Sequence, residues 1–461
     1  MKHYDAIIIG AGQAGVPLAK KLAEAGKKTL IVEKRWVGGT CINDGCTPTK
    51  TIIAAAHVAH QARQAGRLGL EIDTVKIDLK KIMKRKDEIV DSFRTGAKKG
   101  IESTNGLDLI HGEATFSGLK ELRVKTSDGK ERLFSADWIF INTGASAKIP
   151  ALPGLTKTNY LTSTTILDLK QIPAHLVVLG GNYIGLEFAQ LFHRFGSKVT
   201  ILEKSSRIVG REDEDVSSAM TEILEEEGLK VLTNITIEEV KGAQGELTIQ
   251  LKTPDGKKNI KASHLLLAIG RTPNTAALNL DIPGIKTDKN GYILVNEKLE
   301  TNVKGIYALG DVNGGPAFTH IAYNDYTIVF RNLMEQGKHS TADRQVPYCM
   351  FTDPQLARVG LSETEAKAKG LDFLVAKIPM TQVARGIETG QTLGFMKAIV
   401  DPKSSKILGA CMLAAEGGEV MAVLQMAMQG GITADTIRYG VFAHPTFSES
   451  LNNLFMNMKA Q

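Results

Sequence analysis

The chain has 461 residues, which at a typical domain size corresponds to about three domains. Apolar residues make up 43% of it and charged residues 23%, a composition that excludes a disordered, collagen-like or coiled-coil chain. The net charge of +6 is small for this length and gives no reason to expect nucleic acid binding. No apolar run is long enough for a membrane span, and the apolar start is too short for a signal peptide, so we expect a cytoplasmic protein.

An internal repeat is the first organising feature along the chain. Residues 5–33 and 175–203 each contain a short apolar strand, a glycine turn, a helical stretch, a second apolar strand and a final glutamate. The number of residues from the first glycine of the turn to that glutamate is the same in both copies. Two such βαβ units predict two separate nucleotide-binding domains of the doubly wound kind.

The glycine turn of the first copy, residues 10–15, reads GAGQAG. In such a turn Gly10 permits the tight bend, Gly12 lets the backbone approach a pyrophosphate, and Gly15 lets the helix pack on the strand. Glu33 would accept hydrogen bonds from an adenosine ribose. A plain glycine turn between packed elements is the alternative, but the second copy and the register of strand, helix and Glu33 favour a nucleotide site.

The turn of the second copy, residues 180–185, reads GGNYIG and is less regular, because Asn182 stands where the middle glycine is expected. Asparagine tolerates unusual backbone angles better than most residues, so we expect the turn to form. Glu203 ends the second strand and should repel a 2′-phosphate, which favours NADH over NADPH. Lys204 and Arg207 follow closely and weaken that preference.

Two of the four cysteines, Cys41 and Cys46, directly follow the first nucleotide unit. Cysteines at this spacing can close a small disulfide loop, and the apolar segment Thr51–Ala59 predicts a helix whose N-terminus would stabilise a thiolate. A structural zinc half-site and two inert thiols are the alternatives. Cys349 and Cys411 show no spacing for further zinc ligands, and we expect both to be buried core thiols.

Further elements are predicted in chain order. They are a helix over 79–104, an antiparallel meander with segments 121–126 and 131–134, a strand at 138–141, a second meander with its turn at 254–256, strands near 265–270 and 305–311, strands at 374–378, 394–400 and 406–413, and helices from Glu416 onward. The change of pattern beyond about residue 341 indicates a third, α+β domain.

These motifs together resemble those of the class I pyridine nucleotide–disulfide oxidoreductases, a family that includes dihydrolipoamide dehydrogenase, glutathione reductase and mercuric reductase. The resemblance covers essentially the whole chain and lies in residues 38–50 (GGTCINDGCTPTK), 143–145, 270–274, 308–311 and 444–449. It implies an α/β fold with two doubly wound Rossmann-like nucleotide-binding domains, for FAD and NAD(P), and a C-terminal α+β dimerisation domain. The implied boundaries are 1–148 with 272–340 for the discontinuous FAD-binding domain, 149–271 for the NAD(P)-binding domain and 341–461 for the dimerisation domain.

The resemblance also implies an activity, in which electrons pass from NAD(P)H through FAD and a Cys41–Cys46 disulfide to a disulfide or a thiol-reactive metal ion. Cys46 resembles the thiol nearest the flavin, and Cys41 resembles the exchange thiol that attacks the substrate. His444, oriented by Glu449, would serve these thiols as acid and base. In this family that histidine completes the active site of the partner subunit, which implies a homodimer.

The resemblance assigns site residues position by position, and it implies no resident metal. The catalytic residues that it implies are Cys41, Cys46, Lys50, Glu187, His444 and Glu449, with Lys50 pairing with Glu187. The cofactor-binding residues that it implies are Gly10, Gly12, Ala14, Gly15, Glu33, Lys34, Gly39, Thr40, Lys50, Ala114, Thr143, Gly144, Gly180, Gly181, Asn182, Tyr183, Ile184, Glu187, Glu203, Lys204, Gly270, Arg271, Gly310, Asp311, Phe318 and Thr319.

Departures from the family pattern bear on the substrate. Asp44 replaces the apolar residue usual between the cysteines, and its carboxylate should disfavour a thiolate and attract cations. Residues 46–50 and 318–326 look most like the mercuric-reductase-like branch. Residues 452–461, however, contain no cysteine pair of the kind with which mercuric reductases capture the ion, so efficient mercury reduction is not expected.

Two other functions stay open at this stage. Glu203 and His444 permit a dihydrolipoamide dehydrogenase that runs in the NAD-reducing direction. A flavin-binding redox sensor with little turnover belongs to another class of function, and the intact cysteine pair and the His444–Glu449 motif argue against it.

Overall fold

The computed structural model of the chain describes residues 1–243, 245–342 and 344–460. Gln244 in the predicted NAD(P)-binding domain, and Asp343 and Gln461 in the predicted dimerisation domain, lie outside the described residues. The described residues form a mixed α/β structure with parallel and antiparallel sheets, which confirms the predicted fold class. No helix within these described ranges is both long enough and apolar enough to cross a membrane.

Helices and strands are numbered in chain order. The α-helices are α1 (Gly15–Glu24), α2 (Gly39–Asn43), α3 (Cys46–Gln64), α4 (Leu79–Glu102), α5 (Tyr183–Arg194), α6 (Glu214–Glu227), α7 (Thr319–Met334), α8 (Glu363–Ala368), α9 (Ala384–Glu388), α10 (Gly417–Gln429), α11 (Ala434–Arg438) and α12 (Ser450–Met456). The β-strands are β1 (Lys2–Ile9), β2 (Thr29–Glu33), β3 (Leu107–Gly118), β4 (Glu121–Thr126), β5 (Glu131–Ile141), β6 (Ala145–Ala147), β7 (His175–Leu179), β8 (Lys198–Leu202), β9 (Lys230–Leu232), β10 (Thr236–Ala243), β11 (Glu246–Thr253), β12 (Gly256–Ala262), β13 (His264–Leu267), β14 (Arg271–Pro273), β15 (Ile306–Ala308), β16 (Tyr348–Met350), β17 (Gln355–Gly360), β18 (Leu374–Pro379), β19 (Phe395–Val400), β20 (Ile407–Ala414) and β21 (Met458–Ala460).

The chain divides into two compact units, and the predicted domain boundaries stay a prediction. The first unit contains residues 1–51, 81–148 and 270–344, and the second contains residues 52–80, 149–269 and 345–461.

A parallel sheet forms the centre of the first unit, with β1 between β2 and β5, β3 beyond β2, and β15 beyond β5. The strands are buried on both sides and therefore read as nearly continuous apolar runs, of which Ala6–Ile9 is the clearest. The predicted meander is confirmed, because β4 pairs antiparallel with the ends of β3 and β5. Helices α1 and α7 cover one face of this sheet.

The second unit contains a parallel sheet in the order β13–β7–β8–β9 and an antiparallel meander of β10, β11 and β12. It also contains an antiparallel sheet in the order β16–β17–β20–β19–β18–β21. Helices α10 and α12 bury their apolar faces against this last sheet. The predicted strands at 374–378, 394–400 and 406–413 are thereby confirmed as β18, β19 and β20.

The two copies of the sequence repeat have the same local geometry. Gly10 and Gly180 both have a positive φ, of 103° and 112°, which a residue with a Cβ rarely adopts. An added Cβ on Gly15 would collide with the Gly10 carbonyl oxygen, and one on Gly185 would collide with that of Gly180. Each turn therefore needs a glycine at its first position for the bend and at its last position for helix packing, as predicted from the sequence.

A buried ion cluster joins two parts of the second unit. The Lys397 ammonium on β19, with 3% of its side chain exposed, contacts the carboxylates of Asp213 at 2.9 Å, Asp215 at 2.7 Å and Glu363 at 2.9 Å. Burial alone would raise the pKa of Asp213, but hydrogen bonds from Lys397 and Thr364 more than offset it, so that pKa is lowered. The cluster places one buried cation among three carboxylates, and Asp215 has a second cation in Lys377 at 2.5 Å.

We predict that Lys397→Met reduces the free energy of unfolding by about 3 kcal/mol at pH 7, because three adjacent carboxylates lose their shared cation. The cost should shrink as the pH falls below 4 towards 3, because a carboxylate with a lowered pKa contributes its full stability above its unfolded pKa and loses it as the pH falls towards its folded pKa. Urea denaturation followed by circular dichroism at both pH values measures the effect. Lys258→Met, which breaks an exposed pair with Asp255, is the control and should change stability by less than about 0.5 kcal/mol. Equal losses in the two variants would contradict this account.

Candidate active site

The two cysteines that the sequence singled out lie next to each other in the first unit. Cys41 is in the short helix α2 and Cys46 is the first residue of α3, which confirms the predicted helix entrance. Both are thiols, and the Cys41 side chain makes a hydrogen bond with Cys46. The Thr319 hydroxyl, at the start of α7, lies 3.4 Å from the Cys46 sulfur.

The pair has an uneven distribution of charge. The hydrogen bond with Cys46 raises the pKa of the Cys41 thiol, burial raises it further, and the nearby Lys50 ammonium partly opposes both. Cys41 therefore keeps its proton while Cys46, at a helix N-terminus, is the natural position for the negative charge. Lys50 lies one helical turn after Cys46, so its charge is on the same side of α3.

The segment that carries the two cysteines, residues 38–46, is called the redox loop below. It packs directly on the first glycine turn. A Cβ added to Gly39 would lie 2.7 Å from the Gly12 Cα atom, so the two backbones touch with no room for a side chain. The Gly38 amide donates a 2.8 Å hydrogen bond to the Ala11 carbonyl, and the Gln13 side chain donates to the Gly38 carbonyl at 3.0 Å. The cysteine segment and the predicted pyrophosphate turn therefore form one continuous surface.

Asn142 is a site residue that the sequence analysis did not assign. Its buried side chain accepts a 2.9 Å hydrogen bond from the Gly15 amide and donates a 2.8 Å bond to the Leu309 carbonyl. The residue thus connects the first glycine turn with the segment preceding Gly310 and Asp311. Its position directly after an apolar strand and before Thr143–Gly144 was the one feature of the sequence that could have indicated a site residue. Its two partners could not be identified from the sequence, because each is more than 120 residues away.

The residues of this region fit FAD. Glu33 accepts hydrogen bonds from the Ala11 amide at 2.8 Å and the Arg35 amide at 2.7 Å, and its carboxylate retains acceptor capacity for a ribose. The Thr143 hydroxyl is buried and makes no hydrogen bond within the described residues, as expected of a ligand-facing group. Burial raises the pKa of Asp311, although Arg271 at 3.5 Å opposes this. A part of the cofactor that is rich in hydroxyl groups would donate hydrogen bonds to such a carboxyl group.

The two segments that resemble domain-crossing motifs run side by side in the first unit. Strands β6 and β14 pair antiparallel, so that Ala145 is opposite Pro273 and Ala147 is opposite Arg271. The Ser146 hydroxyl donates a 2.8 Å hydrogen bond to the Asn274 side chain, and the amide of Lys148 donates to the Gly270 carbonyl at 3.0 Å. Gly144 and Gly270 have positive φ values of 68° and 121°, which explains the glycines beside this pairing.

The other residues assigned to this unit have varied surroundings. The Lys34 side chain is 61% exposed, and its ammonium lies 4.0 Å from the Glu113 carboxylate. Ala114 is buried in β3, and the Phe318 ring stacks on His320 with ring centroids 5.4 Å apart. The remaining assigned residues lie in the turn before α1 (Ala14), in α2 (Thr40) and in the turn after β15 (Gly310).

The second glycine turn, in the second unit, repeats the carboxylate contacts of the first. Glu203 accepts hydrogen bonds from the Gly181 amide and from the Ser205 amide, both at 2.7 Å. Asn182 is in an extended conformation with φ −117°, so tolerance of unusual backbone angles is not what it contributes. Instead its side chain accepts a 2.8 Å hydrogen bond from the Tyr183 amide as the N-cap of α5.

Three further residues in or near this turn differ in their exposure and contacts. Ile184 is half-buried at the start of α5, and the Lys204 side chain is exposed. The Arg207 guanidinium donates a hydrogen bond to the Glu212 carbonyl at 3.1 Å. Part of the positive charge expected to soften the preference against a 2′-phosphate is therefore engaged by the protein itself.

Glu187 is 4% exposed on α5, and its carboxylate accepts a 2.8 Å hydrogen bond from the Phe351 amide. Further along the same helix, the Gln190 side chain accepts from the Asp353 amide at 2.8 Å, and Arg194 donates to the Asp353 carboxylate at 2.8 Å. These three contacts fix the loop before β17 on α5 and hold Glu187 in one orientation. The pairing of Glu187 with Lys50 stays a prediction.

His444 and Glu449 form the predicted pair in the second unit. The His444 Nδ1 atom lies 2.9 Å from one carboxylate oxygen of Glu449 and 3.0 Å from the other. A proton on Nδ1 is favoured by this contact, which leaves Nε2 as the basic nitrogen. The His444 side chain is 65% exposed in the single chain, so Nε2 is accessible to a thiol from outside it.

The Asp44 carboxylate, which the sequence analysis expects to disfavour a thiolate and to attract cations, is paired with a cation of the same chain. Its carboxylate accepts two hydrogen bonds from the Arg35 guanidinium, at 2.6 Å and 3.0 Å. Arg35 lies nine residues earlier, beyond the end of β2, and no local spacing rule connects the two residues. The carboxylate is therefore engaged by a cation of this chain and is not open to attract others.

Residues 4–325 match the family described as pyridine nucleotide-disulphide oxidoreductase, and residues 346–455 match the dimerisation domain of the same family. The chain is 39% identical to the probable pyridine nucleotide-disulfide oxidoreductase RclA of Escherichia coli (strain K12), over 100% of both chains. It is 36% identical to a mercuric reductase of Staphylococcus aureus, over 97% of this chain and 81% of that protein. A solved Cu(II) complex of the HOCl-induced flavoprotein disulfide reductase RclA from Escherichia coli has a TM-score of 0.90 at 38% identity, covering 99% of each chain.

We predict that Gly12→Ala weakens FAD binding by at least about tenfold, because the new Cβ would lie 2.9 Å from the Asn142 side-chain oxygen and displace it from the Gly15 amide. The flavin content of the purified protein and a fluorescence titration with FAD measure the effect. Gly96→Ala on α4, where an added Cβ meets nothing, is the matched control and should bind FAD normally. Full flavin content in the Gly12 variant would contradict the assignment of this turn.

Proposed function

The chain is a flavoprotein disulfide reductase of the pyridine nucleotide-disulphide oxidoreductase family, and we propose that it passes electrons from NAD(P)H to a disulfide or a thiol-reactive metal ion. The observation that carries this proposal is the adjacency of Cys41 and Cys46 at the start of α3, with Thr319 and Lys50 beside them. Two thiols in contact at a helix N-terminus can close and reopen a disulfide with little movement of the backbone.

Residues of the first unit have separate roles in the proposed electron transfer. FAD, when bound, supplies the relay that accepts a hydride from NAD(P)H and yields two electrons. On receiving two electrons and one proton, the Cys41–Cys46 disulfide opens to a thiol and a thiolate. The charge belongs on Cys46, where Lys50 and the N-terminus of α3 stabilise it, and Cys41 retains the proton. Cys41 is then the thiol that engages the acceptor, after it passes its proton to a base.

We propose that His444 supplies that base from the partner subunit. The exposed imidazole, its Nδ1 contact with Glu449 and the match of residues 346–455 to a dimerisation domain support this assignment. Glu449 orients the ring and stabilises its charged form when Nε2 takes a proton, and the same proton returns to the leaving thiol of a disulfide substrate.

The acceptor in this proposal must take up the two electrons that the cysteine pair supplies. Two electrons reduce one disulfide to two thiols, one mercuric ion to elemental mercury, or two cupric ions to cuprous ions. The similarity to RclA, one solved structure of which is a Cu(II) complex, and to a mercuric reductase supports a thiol-reactive metal ion as substrate.

Dihydrolipoamide oxidation with NAD is the alternative that Glu203 and His444 permit. It uses the same residues in the opposite direction, so a direct assay separates the two: dihydrolipoamide and NAD should give little turnover compared with NADH and the preferred acceptor. A redox sensor with little turnover would show FAD binding and no electron transfer to any acceptor.

We predict that Cys41→Ser and Cys46→Ser each reduce acceptor-dependent NADH oxidation at least about a hundredfold, because a serine cannot form the disulfide. Anaerobic steady-state assays with lipoamide, oxidised glutathione, mercuric ion and cupric ion measure the rates. Flavin content and ferricyanide reduction should be retained, which separates loss of the cysteine route from loss of the fold.

The matched control for these variants is Cys349→Ser, which alters a thiol on β16 of the second unit. Its rates should stay within about twofold of the wild-type values, since this thiol has no part in the proposed route. Undiminished acceptor reduction in both Cys41 and Cys46 variants would overturn the proposal, and a wild-type protein inactive with every acceptor would favour the sensor.

We propose further that NADH is the preferred nucleotide, because the Glu203 carboxylate would repel a 2′-phosphate. Glu203→Gln should lower the ratio of kcat/KM for NADH to that for NADPH about fivefold. Lys204→Ala should change this ratio in the opposite direction, because it removes a cation that a 2′-phosphate would use. Steady-state kinetics with one saturating acceptor give both ratios, and a shift of the same sign in both variants would contradict the electrostatic explanation.

A further inference from the structure

Two arginines hold the segment between the redox cysteines from outside. The Arg35 guanidinium makes a two-pronged contact with the Asp44 carboxylate, at 2.6 Å and 3.0 Å. The Arg94 guanidinium on α4 donates a 2.8 Å hydrogen bond to the Asn43 side-chain oxygen. The Asn43 side-chain nitrogen, Nδ2, in turn donates hydrogen bonds to the carbonyls of Val37 at 3.0 Å and of Gly39 at 2.9 Å. Both residues midway between the cysteines are therefore anchored by their side chains.

The Arg35–Asp44 contact differs from an ordinary surface ion pair. The Asp44 side chain is only 16% exposed, while that of Arg35 is 53% exposed, so the carboxylate is largely withdrawn from water and the guanidinium covers it. A forked contact of this kind fixes direction as well as distance, because the planar guanidinium matches the carboxylate plane. The backbone amide of Asp44 is also bonded to the Thr40 carbonyl at 2.9 Å, so the residue has little freedom.

The position of Asp44 gives this pair a bearing on the redox reaction. Asp44 is two residues from Cys46, which limits their Cα separation to about 7 Å. Reduction of the disulfide adds negative charge at the sulfurs, and an uncompensated carboxylate this close would oppose it. Beside the cysteines lie Lys50 on α3 and the neutral Thr319 hydroxyl on α7, while Arg94, paired with Asp91 on α4, contacts the neighbouring Asn43.

We propose that Arg35 is a positioning residue for the redox pair: it cancels the charge of Asp44 and fixes the loop that carries both cysteines, and so sets the equilibrium between the disulfide and the dithiol. The inference rests on the proposed function, in which Cys41 and Cys46 interconvert between these two states. Breaking the S–S bond takes up two electrons and one proton and leaves a thiol and a thiolate, and Arg35 acts on the charge of that product without contacting substrate or cofactor.

The test uses single and double variants of the FAD-loaded enzyme in glutathione redox buffers at pH 7.5, with acid quenching, maleimide labelling and mass spectrometry of the peptide that contains both cysteines. Arg35→Ala leaves Asp44 uncompensated, so the disulfide should be favoured about threefold, equivalent to a potential about 15 mV more negative. Asp44→Asn leaves Arg35 uncompensated, so the dithiol should be favoured by a similar factor. The double variant Arg35→Ala with Asp44→Asn should return to within about 5 mV of wild type.

Opposite signs in the single variants, with recovery in the double variant, cannot arise from loss of loop structure alone, which would shift all three in one direction. Arg35→Lys keeps the charge and should restore most of the wild-type potential. The exposed Arg331–Glu335 pair on α7 supplies the matched control, and Arg331→Ala should leave the potential unchanged.

The results of this titration distinguish a failure of the proposed function from a failure of the role proposed for Arg35. A wild-type protein that forms no Cys41–Cys46 disulfide at any glutathione ratio would overturn the proposed function and this inference together. A normal wild-type equilibrium with unshifted variants, or with shifts of one sign in all three, would overturn the role of Arg35 alone.

Discussion

The backbone contact between Gly12 and Gly39 is the constraint on which the candidate site depends. A Cβ added to Gly39 would lie 2.7 Å from the Gly12 Cα atom, so position 39 has no space for a side chain, and the predicted pyrophosphate turn and the redox loop share one surface. A larger residue at position 39 would push the redox loop away from this turn. Reactivity and cofactor binding are therefore linked by a steric requirement rather than by any single hydrogen bond.

Asn142 and the two strand-end glutamates show how the structure stabilises glycine turns that have few contacts of their own. In both copies of the repeat a carboxylate accepts hydrogen bonds from two backbone amides, at Glu33 in the first and Glu203 in the second. The first copy adds the Asn142 amide, which bonds to the start of α1. The same groups that define the turn can receive a ribose, so local stability and ligand recognition share one set of atoms.

Three sets of charged groups in this protein have oppositely charged partners at close range. Lys397 serves three carboxylates, Arg194 contacts both Glu227 and Asp353, and Arg35 covers Asp44. The first two clusters stabilise the second unit, whereas the last lies within the redox loop, where the charge balance changes during the reaction. The same kind of ion pair therefore occurs both in a packed structural cluster and next to the cysteine pair.

The sequence by itself determined the βαβ repeat, the two glycine turns and the helix entrance at Cys46, because each depends on residue types at short, fixed spacing. The His444–Glu449 pair was predicted from the resemblance to a known family. Helix periodicity, glycine conformations and an i, i+5 contact are local properties that a linear pattern contains. Only the tertiary structure decided the partners of Asn142, the cap formed by Asn182 and the compensation of Asp44 by Arg35, since these depend on which distant or irregular segments the fold brings together. A carboxylate in a sequence shows its charge but not the cation that neutralises it, and that is a property of packing.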